Sequence, residues 1–422
     1  KTAVDDIITD LESENRMNRL LQGDVGSGKT IVSFIAMVAN YLSGYQSALM
    51  APTEILAVQH YNNLKEFLNG TDITVELLTG STPKKEKQVI YEDLKDGKIN
   101  IVIGTHALIQ EEVTYNNLGL VITDEQHRFG VNQRANLQNK GIKPDVLYMS
   151  ATPIPRTYAL TIYGDMDMSI IKERPKGRQP ITTYVKSNDE ITEVLEMMYK
   201  ELKQNHQVYV IAPLIEESEN SDLATVCKLK DQMMLAFGKK YKIDIVHGKM
   251  ASAAKDLIMQ EFAQNKIQIL ISTTVIEVGV DVANATTMVI FDANRFGLST
   301  LHQLRGRVGR GTSKSQCILI SSTDTKRLEI MKDTDDGFVI SEEDFKLRGH
   351  GDLFGTKQSG DMAFKIANLK SDYKILLQAK KDSKEYLVSE ESKKEKLKEE
   401  LISNASKIRE KIGDRALMRA YH

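Results

Sequence analysis

Short apolar runs rich in β-branched residues alternate along this chain with longer stretches whose apolar residues recur every three or four positions. The first pattern predicts buried strands and the second amphipathic helices. In the first half the strand candidates are 19–22, 46–51, 73–78, 100–103, 120–123 and 146–150, with helices over 29–42 and 53–68 among the intervening segments. In the second half they are 181–185, 207–213, 242–246, 267–272, 287–291 and 316–321, with helices over 190–204, 222–237 and 252–264. The seam falls at Glu173–Pro180, where ERPKGRQP supplies two prolines and a glycine. Strands separated by helices make βαβ units. The expected fold class is therefore α/β, with two parallel-sheet domains in tandem over 1–175 and 176–325 and a cleft between them.

The remainder, 326–422, has a different pattern and is expected to be a mostly helical appendage. Residues 327–346 read as one helix, and 347–360 (LRGHGDLFGTKQSG) are glycine-rich. From Lys380 to Lys411, 18 of 32 residues are charged with mixed signs, which suits a solvated helix or frayed tail, with a partner site as the alternative.

Composition changes the picture in three places. The chain has 422 residues, beyond the roughly 250–300 at which single cores stop growing. Its 56 Lys+Arg against 58 Asp+Glu exclude a generally polybasic protein, but leave room for a local basic groove. The two cysteines, Cys227 and Cys317, form no CxxC or metal-ligand spacing, so two reduced, buried thiols are expected in a cytoplasmic protein. No apolar run approaches the ~20 residues that span a bilayer, and no leader is visible, so no membrane association is expected. The chain begins at Lys1 rather than Met, as a piece of a longer protein would.

Three motifs carry chemistry. Gly23-Asp-Val-Gly26-Ser27-Gly28-Lys29-Thr30 fits GxxxxGK[ST] and lies between a strand and a helix, the context that motif requires. Its glycines let backbone amides close on phosphate oxygens, Lys29 supplies charge to the β/γ-phosphates, and the Thr30 hydroxyl suits Mg²⁺. The apolar strand ending in Asp124-Glu125 provides a second Mg²⁺ ligand in Asp124 and a carboxylate to orient water in Glu125. His127, two positions on, has no partner at metal-ligand spacing. It reads as a polar coupling residue beside the γ-phosphate or as a plain surface histidine. Third, Gln303-Leu-Arg305-Gly-Arg307-Val-Gly-Arg310 packs three arginines into six residues. Arginines spaced by glycines suit close approach to phosphate. Arg307 and Arg310 are expected to complete the ATP site from the second domain.

Taken together, LLQGDVGSGKT, DEQH, Ser150-Ala151-Thr152 and QLRGRVGR resemble motifs I, II, III and VI of superfamily 2 helicases. Longer strings narrow the resemblance to the RecG-type DNA helicases: MAPTEILAVQH (50–60), GTHALIQ (104–110), DEQHRFGVNQR (124–134), SATPIPRTYALTIYGDMD (150–167), STTVIEVGVDVANA (272–285) and RFGLSTLHQLRGRVGR (295–310). The resemblance runs from about 17 to 360. It implies two RecA-like domains of the P-loop NTPase class that close on ATP and Mg²⁺ and drive translocation on double-stranded DNA. The implied substrates are branched DNA: stalled forks, which the family regresses, and Holliday junctions, which it branch-migrates in recombination and repair. It also implies a monomer, with single-stranded DNA-binding protein as a further partner. By the same resemblance, Gln303, Gly279 and Asp281 are placed at the nucleotide, and Ser150, Thr152, Arg348 and Gln358 couple hydrolysis to movement. Pro52, Thr53, Thr79, Gly80, Thr105, His106 and Thr273 are placed at DNA, with Gly279 and Asp281 in the motif that touches both.

Two alternatives stand beside this reading. One is a transcription-repair-coupling translocase, which shares the motor core but fits LLQGDVGSGKT, APTEIL and DEQHRFGV less well. The other is a nucleotide-regulated DNA-binding module that is inactive as a motor. The family's N-terminal wedge domain has no counterpart in this chain, and its adenine-motif glutamine is either missing or lies just upstream of Lys1, so the chain is expected to be the motor portion. Arg16, Ala283, Asn294 and His350 depart from the family pattern without removing a phosphate or Mg²⁺ group.

Overall fold

The protein was analysed as a computed structural model. It describes residues 1–24, 26–125, 129, 131–151, 166–172, 180–212, 219–248, 250–273, 282–323 and 326–348, with 375, 378, 379 and 381–383 further on. The expected seam, the glycine-rich run beyond Arg348 and most of the charged tail lie outside these residues. Two compact units form: Lys1–Ile154 with Tyr163–Leu347, and Pro155–Ile162 with Arg348–His422.

The first unit holds two parallel sheets of the RecA type. Strands β1 (Asn18–Gly23), β2 (Gln46–Met50), β3 (Val75–Leu78), β4 (Ile101–Gly104), β5 (Leu118–Thr123), β6 (Asp145–Ser150) and β7 (Asp167–Ile171) make one sheet in the order β3-β4-β2-β5-β6-β1-β7. Strands β8 (Ile181–Ser187), β9 (Gln207–Ile211), β10 (Ile243–Val246), β11 (Ile269–Ser272), β12 (Ala285–Ile290) and β13 (Ser315–Ser321) make the other in the order β10-β11-β9-β12-β13-β8. Reading β8 as β1 and β9 as β2, the second order repeats the first, with β7 as an added edge.

Helices cover both faces of each sheet, which is why inner strands such as β2, β4, β9, β11 and β12 are buried at every position rather than alternating. In β2, Ala48 and Met50 enter one core while Leu49 enters the other. In β9, Val208 and Val210 face one core while Tyr209 and Ile211 face the opposite one. The covering helices are α1 (Thr2–Leu11), α2 (Lys29–Leu42), α3 (Glu54–Phe67), α4 (Lys84–Lys95), α5 (Val131–Gln138), α6 (Ile191–Lys203), α7 (Glu219–Phe237), α8 (Ser252–Ala263), α9 (Leu298–Arg305), α10 (Lys326–Asp333) and α11 (Gly337–Arg348). Ile55 of α3 packs against the core of the second sheet, so apolar contact joins the two lobes.

Three expectations need correction. Residues 327–346 are not one helix. The chain breaks at Thr334–Asp336, where Asp336 Oδ1 accepts from the Phe338 and Val339 amides and starts α11 afresh. Cys227 is exposed, not buried; Cys317 alone is inside, and burial pushes its thiol up to about 12. Strand β7 had no sequence forecast, because its place beside β1 is fixed by distant polar partners. Arg19 of β1 bonds Ser169 of β7 and forks onto Asp10 of α1, while Ser169 donates to Asp6. Among the described residues no helix is long and apolar enough to cross a membrane.

The lobes share one polar device. Gln46 opens β2, and its Nε2 donates to the carbonyls of Leu94 and Ile99, at the end of α4 and just before β4. Gln207 opens β9, and its Nε2 donates to Phe262 and Ile267, at the end of α8 and just before β11. Each buried amide thereby fixes a helix-to-strand turn beside the central strand. Replacing either by alanine strands two buried carbonyls, at roughly 1–3 kcal/mol each. Gln46→Ala and Gln207→Ala should each lower unfolding free energy by at least about 2 kcal/mol, measurable by chemical denaturation.

Candidate nucleotide site

The loop between β1 and α2 carries the first group. Gly28 holds φ at +94°, a region that L side chains rarely adopt, and a Cβ on Gly23 would meet Ser27 Oγ at 2.4 Å. Both positions therefore require glycine. The start of α2 has no side-chain cap, so its first amides are left to face a ligand. Ser27 Oγ is buried there with no hydrogen-bond partner. Lys29 is buried, and its Nζ donates to the carbonyls of Gly23 and Asp24 at 2.8 and 3.0 Å. Burial pushes the ammonium below its ordinary value, against the pull of Glu125, Asp124 and Asp24. An orphaned hydroxyl, uncapped amides and a buried ammonium fit a phosphate chain. Thr30 follows on the first turn of α2.

Strand β5 brings the carboxylates. Asp124 is buried at its C-terminal end, and Oδ2 lies 2.8 Å from His60 Nε2 of α3. Burial raises this carboxyl, but the hydrogen bond and charge of His60, with Lys29, outweigh it and hold Asp124 below the ordinary range. Glu125 behaves oppositely. Burial, and then the neighbouring Asp124, push it up, against Lys29, Arg307 and the Ala151 amide. Its backbone sits at φ +49°, a left-handed conformation that costs a non-glycine residue roughly 1–2 kcal/mol. One carboxylate is thus kept ionised, as a cation ligand must be. The other is pushed toward higher basicity, the direction that suits a proton acceptor.

The second lobe supplies the cations. Arg307 acts on Glu125 and Arg310 on Lys29, both through charge, and Arg310 Nε donates to the Gly306 carbonyl. The third arginine separates from them. Arg305 is 2% exposed and donates to the carbonyls of Met331 and Thr334 and to Thr183 Oγ1. It is a structural anchor. Gln303 lies half-buried on the same helix.

Three family descriptions match this chain: DEAD/DEAH box helicase over 2–160, helicase conserved C-terminal domain over 189–312, and ATP-dependent DNA helicase RecG, domain 3, C-terminal, over 334–413. ATP-dependent DNA helicase RecG of Bacillus subtilis is 51% identical over 96% of this chain and 61% of its own length. The Staphylococcus aureus protein of that name is 52% identical over 92% of this chain and 57% of its own. The chain belongs to the RecG helicases. It spans about three fifths of the length of these curated relatives. A solved RecG bound to a three-way DNA junction matches 89% of the chain at 44% identity, with a TM-score of 0.75 and half of that chain covered. Yeast Dbp5 bound to RNA and ADP BeF3, at 18% identity and TM-score 0.58 over 80% of this chain and 87% of its own, shares the fold.

Within this RecG fold the other expected positions lie just beyond strands, all but Thr273 on one edge of the first sheet. Pro52 and Thr53 follow β2, Thr79 and Gly80 follow β3, Thr105 and His106 follow β4, and Thr273 follows β11, all at the C-terminal ends of strands. Gly80 and His106 are exposed, whereas Thr79, Thr105 and Thr273 are buried. Thr53 accepts from the Leu56 amide and caps α3, while Thr79 Oγ1 bonds Ser81 and Thr82. Ser150 ends β6, and the next amide, Ala151, donates to Glu125 at 3.5 Å. Gln358, His127, Thr152, Gly279 and Asp281 lie outside the described residues, and Arg348 is described only as the last residue of α11.

Sequence reading missed His60, Asp24 and His302 as parts of this site. One signal was available: His60 interrupts the otherwise apolar stripe Ala57, His60, Leu64 along the buried face of α3. The separation of the arginines has a measurable consequence. Arg305→Ala should destabilise the fold by roughly 3–5 kcal/mol, because it strips a buried array of its cation. Arg307→Ala should leave the denaturation midpoint nearly unchanged.

Proposed function

We propose that this chain is the ATP-driven motor of a RecG-type helicase, acting as a translocase on branched double-stranded DNA. The observation that carries this is the convergence of two lobes on one phosphate loop. Lys29, Asp124 and Glu125 come from the first lobe and Arg307 and Arg310 from the second. Hydrolysis that needs both lobes can be converted into motion between them. The junction-bound RecG relative supports branched DNA as the substrate, and fork regression and branch migration in repair and recombination are the processes we assign.

The residues would divide the work as follows. Backbone amides of the 23–28 loop, with Ser27 and Lys29, hold the β- and γ-phosphates of ATP. Thr30 and Asp124 hold Mg²⁺, which when bound draws charge from those phosphates. Glu125 orients the attacking water and accepts its proton, and Arg307 and Arg310 stabilise charge on the transferred group. Gln303, Gly279 and Asp281 complete the nucleotide contacts. His127, Ser150, Thr152, Arg348 and Gln358 couple hydrolysis to motion. Strands β5, β6 and β1 are neighbours and carry the nucleotide residues, while β3, β4 and β2 carry Pro52, Thr53, Thr79, Gly80, Thr105 and His106. We assign that half, with Thr273 of the second lobe, to the DNA backbone, through amides and hydroxyls that position without reading bases. Functional boundaries at 1–175, 176–325 and 326–422 and a cytoplasmic location go with this reading.

The test is ATP hydrolysis with and without three-way-junction DNA. Lys29→Ala should abolish it. Glu125→Gln should lower turnover about 10²-fold or more while keeping nucleotide binding. Arg307→Ala or Arg310→Ala should lower it about 10³-fold with ATP affinity largely spared. Hydrolysis at the parent rate in Lys29→Ala would sink the assignment.

A further inference from the structure

His302 lies just before the arginine motif, and its side chain is 5% exposed. Its Nε2 is 2.9 Å from Asp24 Oδ1, across the lobes in the loop after β1. Its Nδ1 is 3.1 Å from Arg305 Nη2. A guanidinium has donors only, so Nδ1 must accept. The imidazole is therefore neutral, with its hydrogen on Nε2, and that hydrogen points at the Asp24 carboxylate. Arg305 fixes the tautomer that the contact with Asp24 needs.

Arg305 is itself immobilised. Its Nη1 donates to the Met331 and Thr334 carbonyls at 2.5 and 3.1 Å and lies 3.3 Å from Asp335 Oδ1. These partners are at the end of α10 and in the break before α11. At the other end, the Asp24 carbonyl accepts from Lys29 Nζ, and the Asp24 charge acts on that ammonium. The array thus begins on a fixed turn of the second lobe and ends on the residue that holds the phosphate-loop lysine.

We propose that Arg305, His302 and Asp24 form an interlobe latch, in which His302 is a positioning residue that docks the second lobe on the phosphate loop. Docking sets Arg307 and Arg310, two and five positions beyond Arg305, beside Glu125 and Lys29. The effect on turnover rests on the motor reading above, whereas the effect on lobe closure does not.

Closure can be read by energy transfer between dyes on Lys95→Cys in the first lobe and the exposed native Cys227 in the second, on adding a non-hydrolysable ATP analogue. His302→Phe keeps a ring but loses both nitrogens, Asp24→Ala removes the acceptor, and His302→Gln restores a donor and an acceptor. The first two should each lose most of the analogue-induced change, their combination should lose no more than either, and His302→Gln should recover it. In junction-stimulated hydrolysis, His302→Phe should lower kcat about tenfold, the scale of one hydrogen bond to a charged group, with ADP affinity in the absence of DNA unchanged. An unaltered signal in His302→Phe, additive losses in the double variant, no rescue by glutamine, or no closure in the parent would each overturn the latch. A parent that closes through the latch but does not hydrolyse ATP would overturn the motor reading and leave the latch standing.

Discussion

Buried charge is the constraint on which this structure turns. Lys29 and Asp124 are buried and Glu125 half-buried at one edge of the first sheet. Isolated ions in such a place would be expelled or neutralised. His60 and Lys29 hold Asp124 below its ordinary range, whereas burial and the neighbouring Asp124 push Glu125 up, against Lys29, Arg307 and the Ala151 amide. The second lobe adds two cations of different effect. Arg307 draws Glu125 down, whereas Arg310 repels Lys29. That repulsion is a cost in the protein alone. A phosphate between the two cations turns it into two attractions, so the arrangement stores a preference for an anion at the lobe interface.

The strand order then decides what the anion site touches. Because β5, β6 and β1 are adjacent, the acidic pair, the Ser150-Ala151 turn and the phosphate loop meet without long side chains. Because β2 lies next to β5, helix α3 leaves the other half of the edge and still reaches Asp124 through His60. The helix capped by Thr53 is therefore a rigid connection between the two halves. Pro52 and Thr53 are thereby joined to Asp124 through two turns of α3 and one side-chain contact.

Much of this was legible in the chain, and the exceptions share a cause. Buried parallel strands announce themselves as apolar runs, so β2, β5, β9 and β13 were found to within a residue or two. Helix α2 was found at its boundaries, since a phosphate loop opens it and Gly44 lies just beyond its end. What escaped depends on partners far away in sequence. Strand β7 is recruited by Arg19 and Ser169 across 150 residues. The break between α10 and α11 is set locally by Asp336, but the turn it frees is gripped by Arg305 from 29 residues upstream. Motif reading set three arginines together, but one backbone turn sends Arg305 inward and leaves its neighbours at the cleft. Spacing alone carries no sign of that.

The two sheets repeat one strand order, and the chain treats their equivalent first strands differently. Strands β1 and β8 occupy equivalent places in the two sheets and each leads into a helix. After β1 the chain inserts a glycine loop, and α2 begins with no side-chain cap. After β8 the equivalent place is filled by the chain's own carboxylate. Glu190 accepts from the Ser187 amide at 2.8 Å and pairs with Lys186. The second lobe is thus already neutralised where the first is left open. Freed from holding phosphate, it can present Arg307 and Arg310 from the turn that follows α9. A duplicated fold with two open sites would bind two anions independently. Closing one of them makes occupancy of the other depend on how the lobes meet, which is the condition a nucleotide-driven motor has to satisfy.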